Sequence, residues 1–329
     1  MLNPGTTMSR RKRIWLALLF AALGAAAVWG VSMLILRTVP RHIVMASGAE
    51  GGVYHRYARK YKELLAREGV TVEERTTAGA DENLKLLLDP KSGVDVAFMQ
   101  GGVAPSPEDG NLVMLASLYY EPLWVFYTGT ETISRIAQLR GKRIAIGAPG
   151  SGTRKFAESV LVMSSIAADS TELRPLGCKG ALAALTNGDV DAAIFVGGAQ
   201  TAFIQDALWN AELKLMSFAR ADGYVRRVPY ITKLTLPEGT IDLSGNIPSH
   251  DVTLIGTTAM LVARDDFPSA LVNLLLDTAR DLHSGKGDFE AAGAHRVRSP
   301  RGDGKGGRGD WLGVIGSRPR LRSSHAPIR

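Results

Sequence analysis

Cysteine is almost absent: Cys178 stands alone among 329 residues. One thiol forms no internal disulfide, supplies no cysteine cluster for zinc, and leaves no cysteine near the N-terminus to carry a lipid. Cys178 itself reads as a small buried side chain rather than a nucleophile. Acidic residues are missing from the first 41 positions, which hold six basic ones (Arg10, Arg11, Lys12, Arg13, Arg37 and Arg41) for a charge of +6. From His295 to Arg329, eight Arg and Lys305 stand against Asp303 and Asp310, a charge of +7. The whole chain is also +7, so His42 to Ala294, with 24 basic and 30 acidic residues, carries −6. Nucleic acid is bound by basic residues gathered on a folded surface. Here they flank the part that can fold, and no nucleic-acid partner is expected.

Catalytic motifs are missing too. The body's histidines, His42, His55, His250 and His283, show no paired ligand spacing such as HExxH, and no GxSxG elbow occurs. Asp95, Asp189 and Asp191 read as turn or strand-start residues rather than general acids. No metal or cofactor is expected, and the chain reads as a binding protein, not an enzyme.

One long apolar run is present. Ile14 to Leu36 holds 23 uncharged residues, about 35 Å as a helix against a hydrocarbon core of roughly 30 Å. A cleaved signal has an apolar region of about 7 to 15 residues, so an uncleaved anchor is favoured over cleavage near Ala25 to Ala27. Arg10 to Arg13 precede the run, and positive residues stay cytoplasmic. Residues 1–13 are therefore expected in the cytoplasm, 14–36 in the bilayer, and the body in the periplasm at the inner membrane. The SRRKR string is close to a twin-arginine signal, but Arg13 stands where that signal needs an apolar residue.

Past Arg41, short β-type runs alternate with helix-period runs, the pattern of an α/β fold built on a largely parallel sheet. Two series are built alike. In each, a strand opens into a Gly-rich turn at a helix start, and a later strand follows an Asp-led apolar run (VDVAFMQGG and VDAAIFVGG). Two lobes around a cleft are expected: 42–128 as the first part of lobe 1, 129–250 as lobe 2, and 251–294 returning to lobe 1. Asp81 or Asn83 is expected to cap a short helix, and Pro122 to divide Leu112 to Thr128 into two strands.

The strongest local signal is Gly147-Ala148-Pro149-Gly150-Ser151-Gly152-Thr153-Arg154, between a strand and a helix. Glycines let backbone N–H groups turn to a ligand, and a helix N-terminus adds partial positive charge, so the site suits an anion. The phosphate-loop motif needs Lys and then Ser or Thr directly after its second glycine, and that order is absent. Carboxylate binding by Ser151, Gly152 and Thr153 remains, with an ordinary capped turn as the alternative. Gly51, Gly52, Val53 and Tyr54 hold the same place in the first series. Ligands of α/β sheets bind beyond the carboxyl ends of strands, which adds Gln100, Gly197 and Gly198. Tyr54 reads equally well as a buried residue on a helix face.

The ordered set GGVY at Gly51 to Tyr54, Asn83-Leu84, VDVAFMQ ending at Gln100, LASLYYEPLWV, LRGKRIAIGAPGSGT, ALAALTNGDVDAAIFVGG and LLLDTARDLHSGKG resembles the TAXI-type solute receptors of tripartite ATP-independent periplasmic (TRAP) transporters, from about His42 to Phe289. The resemblance implies a type II periplasmic-binding-protein fold that closes on a small carboxylate, amino-acid-like or dicarboxylate-like, and delivers it to an integral-membrane TRAP permease. The runner-up is the ligand domain of an ATP-driven (ABC-type) importer or of a membrane sensor. Val53 stands where the family often has Thr, and Gly197 to Gln200 replace a Gly-His-Pro loop. The tail from His295 to Arg329, Arg- and Gly-rich without periodicity, reads as an out-of-frame or degenerate end in preference to a basic tail that touches anionic lipid or nucleic acid.

Overall fold

A computed structural model describes residues 10–38, 41–103, 112–167, 170–285 and 289, with side chains undescribed at 12, 13 and 31–38. The tail expected from 295 to 329 lies outside the described residues. The chain divides into two units at Arg41 and His42.

The first unit holds one helix, α1 (Arg10–Thr38). Its Ala- and Leu-rich sequence favours helix, and apolar side chains point outward on every side, Trp15, Leu18, Phe20, Val28 and Trp29 among them. Among the described residues, no helix is long and apolar enough to cross a membrane. Side chains of α1 are described from Ile14 only as far as Gly30, so the rest of the run expected to span lies outside them.

The second unit is an α/β structure on one sheet of ten strands, ordered β2-β1-β3-β10-β4-β7-β5-β6. Its strands are β1 (His42–Ala46), β2 (Thr71–Arg75), β3 (Val96–Gln100), β4 (Leu112–Tyr127), β5 (Arg143–Ala145), β6 (Glu172–Arg174), β7 (Ala192–Val196), β8 (Lys214–Leu215), β9 (Thr232–Leu236) and β10 (Val252–Arg264). The helices are α2 (Val53–Arg67), α3 (Ala80–Leu88), α4 (Gly152–Met163), α5 (Cys178–Thr186), α6 (Ala202–Trp209), α7 (Ala221–Arg227) and α8 (Ser269–His283). Within β2-β1-β3 and within β6-β5-β7 the strands run parallel. Between these trios lie β10 and β4, antiparallel to each other and to the strands they meet.

The repeated Asp-led runs have a shared structural cause. Asp95 accepts a hydrogen bond from the Val44 backbone N–H at 2.8 Å, and Asp191 accepts one from the Arg143 N–H at 2.8 Å. Each carboxylate therefore ties the entrance of the inner strand of its trio to the strand beside it. The peptide carbonyls repeat the parallel: that of Asp95 accepts from Arg264 and that of Asp191 from Thr128. Buried on both faces by helices, β3 is apolar throughout up to Gln100. Tyr54, Ala58, Tyr61 and Leu65 form the buried stripe of α2.

Several sequence expectations are corrected. Pro122 does not divide its segment: β4 is one strand of 16 residues. The proline lies opposite Gly256, where a Cβ would stand 3.0 Å from the Glu121 carbonyl oxygen, so the glycine admits a close strand approach that keeps the ladder continuous. Asn83 does not cap α3; Gly79 stands at the N-cap. Asn83 is buried and its amide donates to the Ser47 and Phe98 carbonyls at 2.6 and 2.8 Å, joining the exit of β1 to the middle of β3. A short 3-10 turn spans Ile136–Leu139. Neither α7 nor β9 was expected from the sequence.

Candidate functional site

Strands β4 and β10 link the two trios. The first part of β4 pairs with the part of β10 that borders β3, whereas Leu123 to Tyr127 pair with β7. The passage falls at Glu121-Pro122 and at Gly256-Thr257, which face one another. Thr257 Oγ1 donates to the Gly101 carbonyl at 3.0 Å, binding the exit of β3 to this crossing.

Five helix N-termini open at the carboxyl ends of the parallel strands: α2 at Gly52, α3 at Gly79, α4 at Ser151, α5 at Gly177 and α6 at Thr201. The structure brings two pairs of sequence-selected residues together from opposite trios. A Cβ placed on Gly152 would collide with Oε1 of Gln100. Gln100 is 3% exposed, and its Nε2 makes no hydrogen bond among the described residues. A second approach joins Val53 to Gly197, where a Cβ would stand 3.8 Å from Val53 Cγ2. Gln100, Gly152, Val53 and Gly197 thus lie where the trios meet.

The remaining selected residues have other partners. Ser151 Oγ donates to the Ala148 carbonyl at 2.6 Å and accepts from the Arg154 N–H at 3.2 Å, a cap that starts α4. Thr153 and Ser151 pack on Gly147, whose φ of +97° and close contacts suit glycine alone. Gly52 starts α2, and Gly51 is exposed with φ of +77°. Thr201 Oγ1 donates to the Gly198 carbonyl at 2.8 Å, and Trp124 Nε1 donates to that of Gly197 at 2.8 Å, which holds this turn against β4. Tyr54 points inward, stacked on Phe98, and its hydroxyl donates to Glu121 Oε2 at 2.8 Å.

Sequence reasoning missed Glu121. Burial pushes its carboxyl up to about 8, against the opposing effect of the Tyr54 hydrogen bond. The signal was available: Glu121 is the one charged residue in LVMLASLYYEPLWVFY. Asp81 and Lys155 were also missed; their side chains approach to 3.5 Å between α3 and α4.

Chemically, converging helix N-termini with an unpaired buried amide favour an anion with several acceptor oxygens. Among the described residues, no group of three or more His, Cys, Asp or Glu could hold a metal ion.

The chain is similar in structure to an ancestral arginine-binding protein bound to arginine (14% identity, 74% of this chain and 93% of that one, TM-score 0.47). It is also similar to the periplasmic aliphatic sulphonate binding protein SsuA from Escherichia coli (15%, 74% and 73%, TM-score 0.48). A histidine kinase sensor domain with similarity to periplasmic binding proteins matches at 15%, over 74% and 90%, with a TM-score of 0.46. At these scores the likenesses carry no ligand or partner over to this chain. The family model for NMT1-like proteins matches residues 45–287, from the middle of β1 to beyond α8. The chain belongs to the NMT1-like family.

Proposed function

We propose that the protein is an extracytoplasmic solute receptor of the TAXI type, with a type II periplasmic-binding-protein fold, that closes on a small carboxylate and passes it to a TRAP permease. The observation that carries this reading is the approach of Gln100, at the exit of β3, to Gly152, at the start of α4. Two trios joined through β4 and β10 supply the two lobes, 42–128 with 251–294 against 129–250. A ligand carboxylate between them would meet backbone N–H groups of Gly152 and Thr153, the Ser151 hydroxyl and the Gln100 amide. Gly51, Gly52, Val53, Gly197 and Gly198 would shape the other wall. A body of charge −6 then attracts its anion by local dipoles, not by its net field. The uncharged run 14–36 would tether the receptor to the inner membrane, which raises its effective concentration near the permease. We read it as a binding protein and not an enzyme; the Ser151 hydroxyl serves as the helix cap of α4.

Thermal-shift screening of the full-length chain against dicarboxylates, amino acids, phosphosugars and nucleotides tests the proposal. Binding at a hundredfold excess over Kd would add about 2.7 kcal/mol. Stabilisation by a nucleotide or phosphosugar alone overturns it. Unchanged carboxylate affinity in Ser151→Ala with Thr153→Ala would refute the site assignment.

A further inference from the structure

The N-termini of α3 and α4 face each other at close range. A Cβ on Gly79, the N-cap of α3, would lie 3.5 Å from both the Ser151 Cα and the Gly152 nitrogen. A Cβ on Gly150 would lie 3.1 Å from the Ala78 Cβ, and the Glu82 N–H donates to the Gly150 carbonyl at 3.3 Å. Small residues therefore allow the two backbones to touch. Two positive helix ends so placed repel each other, and the first turn of α3 supplies the compensation. Asp81, 15% exposed, lies 3.5 Å from Lys155 in α4 and 2.9 Å from Lys85 on its own helix. Glu82 folds back to accept from the Ala78 N–H at 2.7 Å.

We propose that Asp81 and Lys155 form a latch between α3 and α4, which favours the closed arrangement of the two lobes. This rests on the two-lobed receptor reading above and adds to it a pair of residues that sets affinity through closure. The ion pair joins α3 to α4, so it exists when the trios are together and is lost when they part. The Lys85 pair is internal to α3 and does not change with closure. Apparent affinity scales with the fraction of chain in the competent state, so loss of the latch weakens binding.

The test is a spin-label distance measurement on the full-length chain in detergent, with Glu68→Cys and Lys179→Cys labelled in a Cys178→Ser background; both label positions are exposed. Asp81→Asn and Lys155→Met should each raise the long-distance population about two- to fivefold, the range of exposed ion pairs. Their combination should add little beyond either, and Lys85→Met should leave the distribution as it was. Unchanged distributions in both Asp81→Asn and Lys155→Met would sink the latch, as would an equal shift in Lys85→Met. The measurement needs no ligand, so it is decided separately from whether any carboxylate binds.

Discussion

Tyr54 donates a 2.8 Å hydrogen bond to Glu121, and both side chains are buried where β4 and β10 cross from one trio to the other. An acid kept in that place is protonated at neutral pH, and it couples the start of α2 to the crossing.

Stability should fall as pH rises through this group's range. The Glu121 carboxyl is pushed from 4.5 to about 8 by burial, so between those values the folded chain keeps a proton that the unfolded chain has released. Unfolding free energy then decreases with pH over that interval and levels off above it, by an amount on the order of a few kcal/mol. Glu121→Gln keeps an acceptor for Tyr54 and removes the titration. Urea midpoints from pH 5 to 8 should decline in the unchanged chain and run flatter in the variant.

Gly152→Ala should weaken folding by about 1–3 kcal/mol, the usual range for overpacking, because the new methyl meets the buried Gln100 amide. Combined with Gln100→Ala, the loss should be smaller than the sum of the single losses. Denaturation of the four chains in a double-mutant cycle measures this, and strict additivity would place Gln100 away from Gly152.

Asp191 gives the opposite pH sign. Hydrogen bonds from the Arg143 guanidinium hold its carboxyl below the usual carboxylate range. Its contribution is present above about 3.9 and is lost as pH falls through the lower folded value. The pair is partly exposed, so Asp191→Asn should lower the melting temperature by no more than about 2–4 °C at pH 7. The difference should shrink as pH falls below the ordinary carboxylate range, as read by circular dichroism.

Ser151→Ala should remove about 1 kcal/mol through loss of the α4 cap, since its hydroxyl accepts from the Arg154 N–H. Calorimetry without ligand separates this from binding; a melting temperature equal to that of the unchanged chain would assign the hydroxyl to some other role.

Local order was legible because it follows from short-range pattern. The apolar spacing of Tyr54, Ala58, Tyr61 and Leu65 marks α2, and Ser151 after a glycine turn marks the start of α4. The likeness of VDVAFMQ and VDAAIFV pointed to two series of strands, and Asp95 and Asp191 do the same work in each. Pro122 misled because its usual effect on a strand is local, while the Gly256 backbone opposite it belongs to β10, more than a hundred residues along the chain. Asn83 misled in the same way: its N-cap preference was outweighed by two buried carbonyls brought to it by β1 and β3.

By itself the sequence determined most of the segments that become strands and helices, the separation of a basic, apolar N-terminal run from an acidic body, and the glycine turns at helix starts, since each depends on neighbours within a few positions. Only the tertiary structure decided that Gln100 meets Gly152, that Tyr54 turns away to Glu121, and that Asp81 reaches Lys155. Those contacts join residues 52 to 74 positions apart, and whether such side chains meet depends on how β4 and β10 carry one trio against the other.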